Sequence, residues 1–222
     1  MQRVDAFVIA DELQFTASGW AHRNRVRGPR GVHWLTVPTR NHRLEAIKDV
    51  EIADSLRWRE RHLRTLRHFY RASPYAQDVL AGVEGALAPG AQRLVEVTVP
   101  LIRFMMERFG IALPLLVSST LGLERSYAAR FPERPGPTHR IIAYMKALGA
   151  DELIEGETGS AYLDLDLCAR HGIKVRFHRY RHPAYPQLFE PFYSHLSAID
   201  LLLACGNREA AAVLRAGEAE LS

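Results

Sequence analysis

"DELIEGETGSAYLD", Asp151 to Asp164, and "IKVRFHRY", Ile173 to Tyr180, decide the fold. The first reads as a short strand, a glycine-containing loop and the start of a helix, and the second as another strand. Two parallel strands need a long crossover, usually a helix, so this order implies a mostly parallel sheet covered by helices. The expected class is α/β, a Rossmann-like three-layer fold.

Outward from that unit, "DAFVIAD" (Asp5 to Asp11) reads as a buried strand closed by acids, and "HWLTVPT" and "VEIAD" as further strands, with Pro38 at a strand end. "LPLLVSST" reads as a strand ending in a hydroxyl-rich turn. From Ser55 the period changes: Leu56, Leu63, Leu66 and Phe69 or Tyr70 share one helical face and the arginines from Arg57 to Arg71 the others. Leu94, Leu101, Met105 and Phe109 make a second stripe, which Pro100 should kink. The chain is therefore expected to form a single domain over 1–222 with a helical insertion or cap at 54–110. Ile141, Met145 and Leu148 give a later helix with Thr138 as its N-cap, and "HLSAIDLLLACG" a last one stopped by Gly206.

The chain has 222 residues, 47% of them hydrophobic, enough to fill a core. No run of eighteen apolar residues and no basic-then-apolar leader is present, which implies a cytoplasmic protein without a membrane span. The net charge is +4, and Lys48, Lys146 and Lys174 are the only lysines, so arginine carries nearly all of the positive charge. Acidic residues are interspersed with the basic ones, so net charge alone gives little reason to expect a nucleic-acid partner. Cys168 and Cys205 stand far apart in apolar contexts and read as buried free thiols.

Five blocks, "DELQFTASGWAHRNRV", "WLTVP", "LVSS", "ALGADELIEGETGSAYLD" and "HPAYPQLFEPFYSHLSAIDLLLACG", resemble successive blocks of the WbqC-like protein family, in order across nearly the whole chain. The resemblance implies a bacterial surface-polysaccharide setting and a glycine (aminoacyl) transferase acting on an amino sugar. Family members open with a further strand and a His-Gln-Pro-containing loop, and Met1 aligns inside the helix that follows. The expectation is that this chain lacks that strand and part of the site.

In open parallel sheets ligands bind beyond the carboxyl ends of the strands. Four segments follow predicted strands in that way: 11–25, 118–122, 155–162 and 182–187. Asp11 and Gln14 can accept hydrogen bonds, Trp20 can stack on a ring, Arg23 and Arg25 can clamp phosphate, and Asn24 can both donate and accept. The resemblance covers Gln14, Trp20, Arg23 and Asn24 residue by residue; the plain alternative is a turn with surface arginines. Ser118 and Ser119 offer hydroxyls to an anion or only to their own turn. Gly156 and Gly159 precede a helix start suited to a phosphate, or to a simple cap by Ser160, and Tyr162 adds a hydroxyl.

Asp11, Glu155 and His182 are the candidate acid or base groups, with Tyr185 and Gln187 in reach of the same ligand. Ser197 and Asp200, one helical turn apart, read as structural residues that pair with each other or with a backbone donor. No catalytic triad, metal-ligand spacing, Walker loop or dinucleotide fingerprint occurs, so the sequence names no cofactor and no metal. Three functions remain open: an aminoacyl or acyl transferase with a small-molecule substrate such as a nucleotide-sugar, a nucleotide-dependent adenylyl-transferring or ligase-type enzyme, and a non-catalytic binding or scaffold protein.

Overall fold

The computed structural model describes residues 4–40, 44–53, 57–87 and 89–221, with side chains as far as Gly217. The first half holds β1 (Phe7–Ile9), β2 (Arg23–Gly28), β3 (Gly31–Thr36), α1 (Trp58–Phe69), α2 (Ala76–Ala86), α3 (Val95–Arg108) and β4 (Leu115–Val117). The second holds α4 (Ser118–Leu121), α5 (Leu123–Arg130), α6 (Pro137–Ala147), β5 (Glu152–Gly156), α7 (Leu165–Arg170), β6 (Lys174–Tyr180), α8 (Ala198–Ala216) and β7 (Glu218–Leu221).

The two strands of the stretch that opened the sequence reading form as expected, but Glu157–Ala161 is a 3-10 turn in which the Ser160 hydroxyl donates to the Glu157 carbonyl, and the helix begins only at Leu165, without a Ser160 cap. β5 and β6 run parallel with Glu155 opposite Phe177, and α7 forms the crossover, its N-terminus capped by the Asp164 carboxylate accepting from the Leu167 N–H at 2.8 Å. β1 and β4 are likewise parallel, Val8 opposite Leu116. α6 stands between the two pairs. Ala143 and Tyr144 pack with Val8, Leu123 and Tyr127, whereas Ile142 and Met145 pack with Cys168, Ile173 and Leu153. Parallel pairs flanked by helices make the chain a Rossmann-like α/β protein, although each sheet is small.

Several elements differ from expectation. "HWLTVPT" contributes β3, but it pairs antiparallel with β2 in a hairpin, so Arg23 to Arg25 lie on a strand and not in a loop. "VEIAD" forms only isolated bridges, Glu51 with Arg93 and Ile52 with Thr39. Ser118 begins α4 directly, without a turn. α6 starts at Pro137, a proline whose fixed φ suits the first helical position, and the Thr138 hydroxyl instead donates to the Tyr162 carbonyl and accepts from the Asp164 N–H. α3 is assigned continuously through Pro100. Leu56 of the expected α1 stripe lies outside the described residues.

Gly206 interrupts the last helix as foreseen, with φ 70° and ψ 170°, but the chain re-enters helix and continues to Ala216. The largest core joins Trp58, Leu63 and Leu66 of α1 to Val79 and Val83 of α2, Leu94 and Val97 beside and in α3, Val26 of β2 and Leu202 and Leu203 of α8. The hairpin and the final helix are thereby fastened to the helices between residues 58 and 108. No helix among the described residues is long and apolar enough to cross a membrane.

α1 also binds the hairpin through His62. Burial pushes this imidazole down to about 4, outweighing the hydrogen bond it donates to the Thr36 carbonyl. The folded state thus holds the neutral ring. Its stability contribution is complete above the ordinary value of 6.5 and is lost as pH falls toward 4. Urea unfolding of wild type at pH 7 and pH 4.5 should lose about 2–3 kcal/mol more than His62→Gln does over the same interval. Equal losses would remove His62 from the pH response.

Candidate functional site

β2 and β3 build the first part of the site. Successive strand residues alternate between faces, so Arg23, Arg25 and Arg27 project to one side of β2. The register sets Arg25 opposite Trp34. Trp34 is 42% exposed and Trp20 59%, and their rings meet at 5.2 Å between centroids. The Arg23 guanidinium lies 4.7 Å from the Trp34 ring, and that of Arg25 lies 5.2 Å from Trp20 and 5.6 Å from Trp34. Interleaved cations and π-faces of this kind stabilise one another and stay available to a planar or anionic ligand.

Backbone acceptors hold both arginines. Arg23 donates from Nε to the Gly19 carbonyl and from Nη2 to that of Ser18. Arg25 donates from Nη2 to the His195 carbonyl at 2.8 Å, while its own carbonyl accepts from the Ser197 N–H at 2.7 Å. Those two bonds bring the loop from His182 to Ser197 against the hairpin. Gln187 shapes that loop by donating to the Tyr193 carbonyl and accepting from the Tyr193 N–H.

In this loop His182 and His195 face each other with ring centroids 5.0 Å apart, and Phe192 and Tyr185 border His182 at 6.2 Å. His182 Nδ1 lies 2.9 Å from the Pro183 carbonyl. A carbonyl can only accept, so Nδ1 carries the proton and Nε2 keeps its lone pair. Burial lowers the pKa of His182 against the opposing effect of the Pro183 carbonyl, and His195 lowers it further. The loop thus supplies a proton acceptor, His182 Nε2, and is joined to the arginine–indole hairpin through the Arg25 bond to the His195 carbonyl.

Beneath this surface lies Asp200, 1% exposed at the start of α8. Its Oδ1 accepts from the Arg27 N–H at 2.9 Å and from the Tyr70 hydroxyl, and its Oδ2 from the Tyr185 hydroxyl at 2.7 Å. Burial and the carboxylate push both phenols above their ordinary range. Ser197 takes the second of the two roles read from sequence, bonding a backbone donor: it caps α8 by accepting from the Ile199 N–H. Arg27, itself 1% exposed, donates to the carbonyls of Gly28 and Glu190 and lies 4.9 Å from the Tyr193 ring.

The other candidates sit elsewhere. Asp11, 2% exposed at the end of β1, accepts from the Ser118 hydroxyl at 2.8 Å and from both the N–H and the hydroxyl of Ser119 at 3.0 and 2.6 Å. This clamp ties β1 to α4 and uses most of the carboxylate's acceptor capacity. Beside it the Glu12 carboxylate meets Lys48 at 3.1 Å, and that of Glu124 meets Arg140 Nε at 2.6 Å and the Tyr144 hydroxyl at 2.8 Å. Gln14 is exposed next to a bridge with Ala46. In the third group Glu155 accepts from the Gly156 N–H and bonds the Tyr162 hydroxyl, and a Cβ on Gly159 would collide with the Glu155 side chain.

The structure therefore gathers Trp20, Arg23, Asn24, Arg25, His182, Tyr185 and Gln187 in one region. It places Asp11, Ser118 and Ser119 together at a strand end, and Glu155, Gly156, Gly159 and Tyr162 beyond β5. Asn24 uses its Oδ1 on the Arg25 N–H. Sequence reasoning missed Trp34, Arg27 and His195. Trp34 was visible as one exposed position of an alternating strand, but its partner Arg25 became evident only with the hairpin register. A cleft of about 460 Å³ beside Tyr75, Cys205 and Gly206 contains none of the expected residues.

The fold and this surface define a small α/β protein that presents a cationic-aromatic hairpin to a histidine-bearing loop. The WbqC-like protein family matches residues 1–212, and the chain belongs to that family. It is 27% identical over 208 residues to the uncharacterized protein Rv1507c of Mycobacterium tuberculosis, which covers 91% of this chain and 85% of that protein. No solved structure matches.

Removing the Asp200 carboxylate would leave two buried hydroxyls without their acceptor and the Arg27 N–H with only the Tyr70 oxygen at 3.1 Å. Asp200→Ala should cost about 3–5 kcal/mol in denaturant unfolding, whereas Trp20→Ala, at an exposed ring, should change stability by less than about 0.5 kcal/mol. Similar losses for the two would contradict the division between support and surface.

Proposed function

We propose that this protein is a cytoplasmic transferase that moves an aminoacyl or acyl group onto the amine of a nucleotide-linked sugar in surface-polysaccharide biosynthesis. The observation that carries the reading is the bond from Arg25, which lies over Trp20, to the His195 carbonyl. It joins the arginine–indole hairpin to the loop in which His195 faces His182, whose Nδ1 bonds the Pro183 carbonyl and leaves Nε2 as acceptor. Acyl transfer to an amine needs a group that takes the proton as the nitrogen attacks, and a neutral imidazole performs that near pH 7.

In this reading the acceptor's ring stacks on Trp20 and Trp34, and its phosphates meet Arg23 and Arg25. Each of these arginines keeps its Nη1 outside the hydrogen bonds that anchor it. The amine nitrogen bonds to the acyl carbon, its proton passes to His182 Nε2, and the donor's leaving group departs with the electron pair of the broken acyl bond. Asp11 and Glu155 serve the scaffold.

Titration calorimetry with nucleotide-sugars tests the binding half. Trp20→Ala and Arg23→Ala should each weaken binding at least tenfold at unchanged thermal midpoint, and loss of stability in step with binding would make these residues architectural. For the chemical half, His182→Ala should lower the transfer rate at least about a hundredfold. Because the folded His182 is shifted down, the acid limb of the rate profile should fall below the ordinary histidine value, with full rate above it and loss as pH drops. A limb above that value would place the base elsewhere.

A further inference from the structure

The segment from Arg57 to Arg71, "RWRERHLRTLRHFYR", holds six arginines and one glutamate, a formal +5 against +4 for the entire chain. The remaining residues therefore sum to a slight negative charge, and the positive charge of the protein is a local property of α1 and its two ends. Within the segment Arg67 meets Glu84, and elsewhere Arg108 meets Asp78, Arg176 meets Glu152 and Arg179 meets Glu157. Arg61, Arg64 and Arg71 are exposed and have no ion pair among the described residues, and Arg57 has only a 3.9 Å contact with Glu60 between two highly exposed side chains.

At about 100° per residue, Arg61, Arg64 and His68 fall within roughly 60° of arc on the helix surface. Arg57 and Arg71 flank this strip at the two ends of a helix about 18 Å long. The opposite face, Trp58, Leu63 and Leu66, is fully used in the core, so nothing on α1 is free to insert into an apolar medium. Like charges three and four residues apart weaken a helix, and the ridge accordingly costs stability unless anions lie against it.

We propose that this ridge docks the protein on an anionic phospholipid surface. A convex, straight row of guanidiniums matches a plane of many phosphates, each able to take paired N–H donors. Among the described residues the ridge presents one exposed ring, the His68 imidazole, and no exposed indole or phenol, which favours lipid headgroups over single-stranded nucleic acid. Docking would hold the hairpin next to the bilayer, because α1 packs directly on it: Phe69 meets His33 edge to face at 5.4 Å, and a Cβ on Gly28 would lie 2.7 Å from the Phe69 ring.

The test is co-sedimentation of the full chain with vesicles of phosphatidylcholine alone and of phosphatidylcholine with phosphatidylglycerol, repeated with R57Q/R61Q/R64Q/R71Q, whose exposed side chains leave the core untouched. Wild type should bind only the anionic vesicles, at least about tenfold more tightly than the variant, and should release them between roughly 0.05 M and roughly 0.5 M salt. A matching thermal midpoint for the variant shows that the loss concerns charge. Equal binding by wild type and variant would overturn the proposal, as would equal binding to the two vesicle types. Binding to a short oligonucleotide with none to anionic vesicles would reassign the ridge to nucleic acid.

Discussion

The carboxylate of Asp200 is almost wholly removed from water, and such a charge persists only when hydrogen-bond donors replace its hydration. Its donors come from three places distant in sequence: the backbone of Arg27 in β2, the phenol of Tyr70 at the end of α1, and the phenol of Tyr185 in the loop before α8. One side chain thus fixes the hairpin, a core helix and the histidine-bearing loop relative to the start of the last helix. The bonds between Arg25 and the backbone of His195 and Ser197 continue this union to the surface. Everything ascribed to His182 and the two indoles presupposes that junction.

The parallel units were legible because their physics is local. Apolar runs and glycines at the breaks specify β5, α7 and β6 without reference to distant residues, although the helix cap proved to be Asp164 and not the Ser160 that the sequence offered. The hairpin was not legible in the same way. Arg23, Asn24 and Arg25 have side chains that prefer water, and they form a strand because Trp34 and Leu35 pair with them across the turn at Pro29 and Arg30. Tertiary context overrides propensity there. Ser118 and Ser119 were correctly placed at a strand end, yet their role depends on Asp11, more than a hundred residues earlier.

The site shows the same division. Residue types capable of binding were visible one by one, and seven of them do converge: Trp20, Arg23, Asn24, Arg25, His182, Tyr185 and Gln187. Which ones converge was decided by the hairpin register and by the loop that Gln187 and Tyr193 brace. Asp11 and Glu155 carry the same functional group, but Asp11 is engaged by the hydroxyls of Ser118 and Ser119 and the Ser119 N–H, and Glu155 by the Gly156 N–H and the Tyr162 hydroxyl. Arginine illustrates how little residue type alone determines. Arg27 is enclosed by carbonyls and a tyrosine ring, Arg25 lies beside two indoles, and Arg61 and Arg64 of α1 stand in water.

Gly206 combines two constraints in one position. Its φ of 70° excludes side chains at little cost only for glycine, and the Tyr75 ring occupies the space a Cβ would need, its nearest atom 2.6 Å away. Backbone and ring share a single volume, so the two positions cannot drift independently. A bulkier residue at 206 is admissible only if the aromatic ring at 75 is withdrawn, and even then the bend must straighten. Straightening would swing the ten residues after it away from their present course. The direction of the chain's last helical turns is therefore written partly in a tyrosine more than a hundred residues upstream.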